Sequence, residues 1–345
     1  MNPLTLLTIL FSLLLGTTIT LLSSHWLLAW IGLEINTLAI IPLMTKTPHP
    51  RSIEAATKYF LTQATASSII LFSSFINAWN QGEWDMTSLA DPQATILSIA
   101  LMMKLGLAPL HFWMPEVMQG IPLLTGLILS TWQKIAPMSL ILQMSDHINI
   151  YVITTIGLTS ILIGGWGGIA QTQLRKIMAF SSIGHLGWMM LILKFSPQLT
   201  AFNFIWYVTM TAAMFFSLMS LHATKLTEIS TSWPKTPTLA LTSMLTLLSL
   251  AGLPPLTGFA PKLLIALELM KQNAILLTTV IMAASLLALF FYLRLTYSMA
   301  LTLPPNTSNS LLSWRLATKM TPLVALMNIL ALMALSLSPS ILILL

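Results

Sequence analysis

Two proline-broken apolar stretches constrain this chain more than any other feature of it. Lys104-Leu-Gly-Leu-Ala-Pro-Leu-His-Phe-Trp-Met-Pro-Glu116 carries a lysine, a histidine and a glutamate in an otherwise apolar run that two prolines interrupt. Gly252-Leu-Pro-Pro-Leu-Thr-Gly-Phe-Ala-Pro-Lys262 lies 146 positions further on (252 minus 106) and aligns without gaps to Gly106–Glu116. Gly, Leu, Pro, Leu and Pro coincide at 106/252, 107/253, 109/255, 110/256 and 115/261. Proline inside a helix removes a backbone hydrogen bond and clashes with the preceding turn. At membrane depth such a break is tolerated only where protein or a wet cavity satisfies the freed groups. Interrupted apolar segments at corresponding places in two halves point to the ion site of a transporter.

That the chain is a membrane protein follows from its charge content. Of its 345 residues 56% are hydrophobic and 7% charged, whereas a soluble domain has roughly 25% charged residues. So few charges cannot coat a surface facing water, and the fold class expected is an all-α polytopic membrane protein. A spanning helix needs about 20 apolar residues. On that rule helices fall near 3–22, 25–44, 57–79, 94–117, 122–143, 148–170, 173–193, 198–223, 238–270, 274–300 and 321–344, which makes eleven. The fourth should break near Pro109. The ninth is too long for one straight crossing and should break at Gly252–Gly258.

Basic residues favour the compartment of synthesis. With eleven spans, Lys46, Arg51, Lys58, Arg175, Lys176, Lys225, Lys235, Arg315 and Lys319 fall on the N-terminal face. The other face has Lys194 and Lys271 with the acids Glu83, Asp85, Asp91 and Asp146. The N-terminus is therefore expected on the side of synthesis and the C-terminus opposite.

Other function classes lack their signatures. The net charge of +6 is scattered, without the cluster that nucleic acid requires. Without cysteine there are no disulfides and no thiolate-held iron–sulfur cluster. Six histidines form no HExxH pairing, and neither GxGxxG nor a P-loop occurs, so no metal or cofactor site is expected. The start runs directly into an apolar segment, so neither a secretory signal nor a transit peptide is expected.

Some ionisable residues nevertheless fall inside the spans. Glu34 lies mid-way along the second, in Trp30-Ile-Gly-Leu-Glu34; Lys104 lies in the fourth and Lys134 in the fifth, in Thr131-Trp-Gln-Lys-Ile-Ala-Pro137; Lys262 follows the second break. A charge at such a depth costs roughly 2.5–3.5 kcal/mol on insertion scales and usually marks an ion path or proton relay. Burial disfavours the charged form of a lysine, and a nearby carboxylate favours it again. A Glu–Lys pair followed by an isolated lysine is then a switch: separating the pair moves the proton on. The expected line of titratable groups is Glu34, Lys104, Lys134 and Lys262, with His111 and His185 as candidate relays.

Each residue has a plainer reading. Glu34 could lock two helices by pairing with a lysine, and Lys104 and Lys134 could snorkel to an interface. Lys262 could sit near a surface, and His111 and His185 could be hydrogen-bonded packing residues. Glu116, beside Pro115, reads as interfacial.

Six stretches carry a family resemblance. They are the start Met1-Asn-Pro-Leu-Thr5, Trp30-Ile-Gly-Leu-Glu-Ile-Asn36, Glu54-Ala-Ala-Thr-Lys-Tyr-Phe-Leu-Thr-Gln-Ala64, the two broken stretches, and Thr131–Pro137. Together they resemble the antiporter-like membrane-arm subunits of respiratory NADH–ubiquinone oxidoreductase, from the first residues to about residue 300. The leucine-, threonine- and methionine-rich, cysteine-free composition is similar to that of proteins encoded in animal mitochondrial genomes, which would account for the absent targeting signal.

The resemblance implies one antiporter-like domain over 1–345 with two inverted repeats of five helices. The first, roughly 1–143, contains broken helix 94–117; the second, roughly 148–300, contains broken helix 238–270; a terminal helix at 321–344 follows. It implies Glu34 paired with Lys104, Lys134 as the central lysine, and Lys262 in the second broken helix. The implied location is the mitochondrial inner membrane, with the N-terminus in the matrix and the C-terminus in the intermembrane space. Implied partners are other membrane-arm subunits, a neighbour's lateral helix, and phospholipids including cardiolipin. NADH, FMN, iron–sulfur clusters and ubiquinone would belong to other subunits. The function expected is proton translocation coupled to electron transfer elsewhere. The rivals are a free-standing cation/proton antiporter and a spacer that moves no protons.

Overall fold

The computed structural model describes residues 2–86, 88–230, 232, 236–301 and 322–344. Lys235, Arg315 and Lys319, with the first residues of the start and terminal-helix segments, Met1 and Thr321, lie outside the described residues. Among the described residues the structure is mostly helical, without strands. Its helices are α1 Pro3–Leu22, α2 Trp26–Met44, α3 Pro50–Gln81, α4 Asp91–Leu105, α5 Trp113–Gly120, α6 Leu123–Ser130, α7 Ile135–Gln143 and α8 Ile150–Ile169. They continue with α9 Leu174–Leu193, α10 Pro197–Leu221, α11 Leu226–Ser230, α12 Pro237–Ala251, α13 Phe259–Lys271, α14 Ile275–Leu301, α15 Pro322–Met333 and α16 Ser338–Leu344.

Among the described residues, eight helical stretches are long and apolar enough to cross a membrane: α1, α2, α3, α8, α9, α10, α14 and the continuous run Pro322–Ile343. Each overlaps one of the eleven segments expected from the sequence. The other three expected segments are helical but interrupted, into α4 and α5, α6 and α7, and α12 and α13. The breaks near Pro109 and over 252–258 were anticipated. The one within 122–143 was not. There a 3₁₀ turn, Trp132–Lys134, separates α6 from α7. Its cause is Pro137, which has no N–H to give to the carbonyl four residues back, that of Gln133. Thr131 adds to it by turning its hydroxyl to the Leu127 carbonyl at 2.7 Å.

Helix α3 starts seven residues earlier than hydropathy alone suggests, because its first turns are charged but well capped. Pro50 occupies the first helical position, His49 Nδ1 accepts from the Arg51 N–H, and the Ser52 hydroxyl accepts from the His49 N–H. In those turns Lys58 pairs with Glu54 at 2.6 Å and with Glu116 at 2.7 Å, all three exposed.

The chain folds as two compact units, Met1–Ser160 and Ile161–Leu345. In the first, α1 packs on α2 through facing glycines. A Cβ on Gly16 would stand 2.5 Å from the Asn36 amide oxygen, and one on Gly32 would stand 2.6 Å from the Thr20 methyl. Small residues let membrane helices approach this closely. In the second unit, α9 is buried on nearly every side, its polar Ser181, Ser182 and His185 included. Similar clasps close the connections of each unit: His25 bridges to Asp85, and Gln173 bridges to Lys225.

Both anticipated breaks use one backbone device. Gly106 and Gly252 end α4 and α12 in the left-handed region, at φ 79° and 82°. The Gly106 N–H donates to the Met103 carbonyl and the Leu107 N–H to Met102; Gly252 and Leu253 repeat this on Ser249 and Leu248. This is the Schellman arrangement, in which glycine avoids a Cβ penalty and freed carbonyls find donors. The peptide bonds Ala108–Pro109 and Pro254–Pro255 are cis at aligned positions.

Candidate functional site

The last turn of a helix leaves four carbonyls without helical partners. In the first unit neutral side chains donate to two of the last carbonyls of α4, one of which also holds the Gly106 N–H. Trp113 Nε1 donates to the Met103 carbonyl at 3.2 Å and Gln63 Nε2 to the Lys104 carbonyl at 3.4 Å. In the second unit a lysine does so: Lys262 Nζ, partly buried, reaches back over the break to the Ala251 carbonyl at 2.6 Å.

Lys104 and Lys134 are brought together. Lys104 lies in the last turn of α4 at 5% exposure, and Lys134 closes the 3₁₀ turn at 3%. Both line one cavity of about 20 Å³ with Asn36, Tyr59, Gln63 and Gln133, room for about one water molecule. Neither lysine snorkels to an interface.

Glu34 lies on α2, half-buried. Among the described residues it makes no ion pair within 4 Å, and neither its Oε2 nor Lys104 Nζ has a hydrogen-bond partner. Glu34 acts electrostatically on both Lys104 and Tyr59 from beyond contact distance. The charges are thus neighbours rather than a clasped pair.

Lys262 and His185 share a second cavity of similar size, lined also by Ser181 and Tyr292. His185 is buried on α9, its ring 5.7 Å from that of Tyr207. His111 sits in the first break, buried, hydrogen-bonded to the Pro109 backbone and 4.5 Å from the Phe112 ring. It does not line the cavity of Lys104 and Lys134. The residues that a search for charges passed over are Asn36, Tyr59, Gln63 and Gln133. Their signal was present: amides and a phenol in apolar spans, three of them within a turn of Glu34, Lys58 or Lys134.

Apolar spans, two breaks of one design, and buried lysines turned into water-sized cavities beside them define an antiporter-like membrane subunit. The family model for the membrane domain of NADH:quinone oxidoreductases and Mrp antiporters matches residues 23–288, and that for the C-terminus of NADH dehydrogenase subunit 2 matches 289–342. The NADH-ubiquinone oxidoreductase chain 2 of Aquarana catesbeiana is 70% identical over the full length of both chains. A chain of respiratory complex I from Thermus thermophilus superposes with a TM-score of 0.82 at 26% identity, covering 96% of this chain and 79% of that one. A chain of an Mrp complex from a Dietzia species shares the fold, with a TM-score of 0.80 at 20% identity, over 87% of this chain and 61% of that one. The chain belongs to the NADH-ubiquinone oxidoreductase chain 2 family.

Proposed function

We propose that this chain is a proton-conducting, antiporter-like core subunit of an NADH:ubiquinone oxidoreductase, moving protons through Glu34, Lys104, Lys134 and Lys262. The observation that carries the reading is the single water-sized cavity shared by the buried Lys104 and Lys134. Two cationic groups are costly together in a low-dielectric site, so a proton on one disfavours a proton on the other. Glu34, close to Lys104 but not bonded to it, can bias which lysine holds the proton as its own surroundings change. Lys262, beside the second break and in a cavity with His185, would pass charge onward. Electron transfer from NADH to ubiquinone, with FMN and iron–sulfur clusters, would take place in other subunits.

The same reading takes eleven spans, with repeats of roughly 1–143 and 148–300 and a terminal helix at 321–344. It places the chain in the mitochondrial inner membrane, its N-terminus in the matrix, among other membrane-arm subunits, a lateral helix and cardiolipin-containing lipid. Against the spacer reading stands Lys104. A charge retained only to lock helices would be bonded to its partner, and Lys104 Nζ is not. A free-standing antiporter would work in vesicles without the redox enzyme.

Lys134→Met in the assembled enzyme tests the proposal, with NADH oxidation and proton uptake into vesicles followed together. The expected result is normal assembly with collapsed turnover and pumping. Wild-type assembly, turnover and protons per electron would give the spacer reading the lead.

A further inference from the structure

The cavity between Lys104 and Lys134 contains polar groups that neither the helix ladder nor the two lysines explain. Asn36 is 2% exposed, and both its amide nitrogen and its amide oxygen lack a hydrogen-bond partner. A buried amide left unpaired is costly, and α2 could have carried an apolar residue there at no such cost. Gln133 lies in the 3₁₀ turn between α6 and α7, and its Nε2 donates to the Asn36 backbone carbonyl at 3.0 Å, across 97 residues of sequence. Both side chains line the cavity, and Lys104 Nζ beside them also lacks a partner. A site of this size takes one water if it offers two to four polar partners, and Asn36 with Lys104 supplies three such atoms.

Resting on the relay reading above, we propose that Asn36 and Gln133 are positioning residues for proton transfer between Lys104 and Lys134. Gln133 ties the 3₁₀ turn, and with it Lys134, to α2. The Asn36 amide, presenting a donor and an acceptor together, fixes the orientation of one bridging water. The step balances without any other reactant. An N–H bond of the Lys104 ammonium breaks as an O–H bond forms on the water. One of the water's original O–H bonds breaks as an N–H bond forms on the neutral Lys134 amine. Lys104 is left neutral, Lys134 charged, and the water unchanged. Gly16 bears on the same device, because its missing Cβ is what leaves room for the Asn36 amide.

The test uses Asn36→Leu and Gln133→Met in the assembled enzyme, with every rate expressed per assembled complex and Lys134→Met measured alongside. The expected result is assembly close to wild type and coupled turnover lowered roughly ten- to a hundredfold, the scale of a misplaced reacting group. The solvent deuterium isotope effect on turnover should rise as proton transfer becomes limiting, and Asn36→Thr, which restores one hydrogen-bonding group, should recover part of the rate. If Asn36→Leu and Gln133→Met keep wild-type turnover and isotope effect while Lys134→Met is inactive, the positioning role is overturned and the relay stands. If Lys134→Met is also wild type, it is the relay that fails. Should only one of the two variants assemble, that one decides; if neither does, the side chains serve stability and the proposal is overturned.

Discussion

Lys262 Nζ donates to the carbonyl of Ala251 at 2.6 Å, so the lysine that follows the second break also closes it. A cation here meets the negative end of the α12 dipole, which ties the charge of Lys262 to the geometry of the break. Replacing it with methionine keeps the apolar stem and removes the donor. A buried carbonyl left unmade costs about 1–3 kcal/mol. Lys262→Met should therefore lower both proton pumping and the thermal midpoint of the assembled enzyme. Lys262→Arg, which keeps a charged donor, should lose less of the midpoint. A Lys262→Met enzyme that melts with the wild type would show that the contact does not hold the break.

The left-handed glycines of the two breaks, Gly106 and Gly252, should respond unequally to the same substitution. A Cβ in that region costs roughly 1–2 kcal/mol wherever it occurs. At Gly106 it would stand 3.2 Å from a Trp113 ring carbon, a contact the ring can relieve by a small shift. At Gly252 it would stand 2.8 Å from Lys262 Cδ and 2.9 Å from Nζ, displacing the side chain that satisfies Ala251. Gly252→Ala should then destabilise the assembled enzyme more than Gly106→Ala. In a Lys262→Ala background the extra loss should vanish, because the two sites share one contact. Equal losses at the two glycines in the wild-type background would contradict this account.

What the sequence made legible, and what it hid, divides along physical lines. The breaks at 106–112 and 252–258 were readable because glycine and proline act on the backbone locally, whatever the surroundings. The third break was hidden because Pro137 stands only six residues from the end of its helix, where a proline appears tolerable. Lys104 and Lys134 stood out because an ammonium in an apolar run is expensive anywhere. That Glu34 and Lys104 are neighbours without contact depends on how α2 meets α4, and no pattern in one chain encodes that distance. Neutral amides carry a smaller insertion cost than charges, so Asn36, Gln63 and Gln133 did not register although they line the same cavity. Lys262 was placed in the right segment, but its bond to Ala251 exists only because Gly252 turns the chain back on itself.

Outside the spans, a carboxylate organises the connection after α10. Glu228 accepts from the Thr224 N–H at 2.5 Å, the Thr224 hydroxyl at 3.0 Å and the Lys225 N–H at 3.0 Å. The Thr224 backbone amide, foremost of these, holds the Glu228 carboxyl below its ordinary value of 4.5. The clamped residues form the clasp to the start of α9: Leu174 N–H donates to the Thr224 carbonyl and Leu226 N–H to that of Thr172. A carboxyl lowered on folding contributes stability that is complete above its unfolded value and is lost as pH falls through its lower folded value. Protection of the 224–226 amides against hydrogen exchange should therefore show no loss of the clamp between pH 6 and 8 once intrinsic rates are divided out, and should fall only in acid below about pH 4.5. Glu228→Gln removes the charge that strengthens all three bonds. It should speed exchange of this segment roughly tenfold at neutral pH, while leaving α9 itself protected by its burial. Exchange as slow in Glu228→Gln as in the wild type would mean that the clasp holds without the carboxylate.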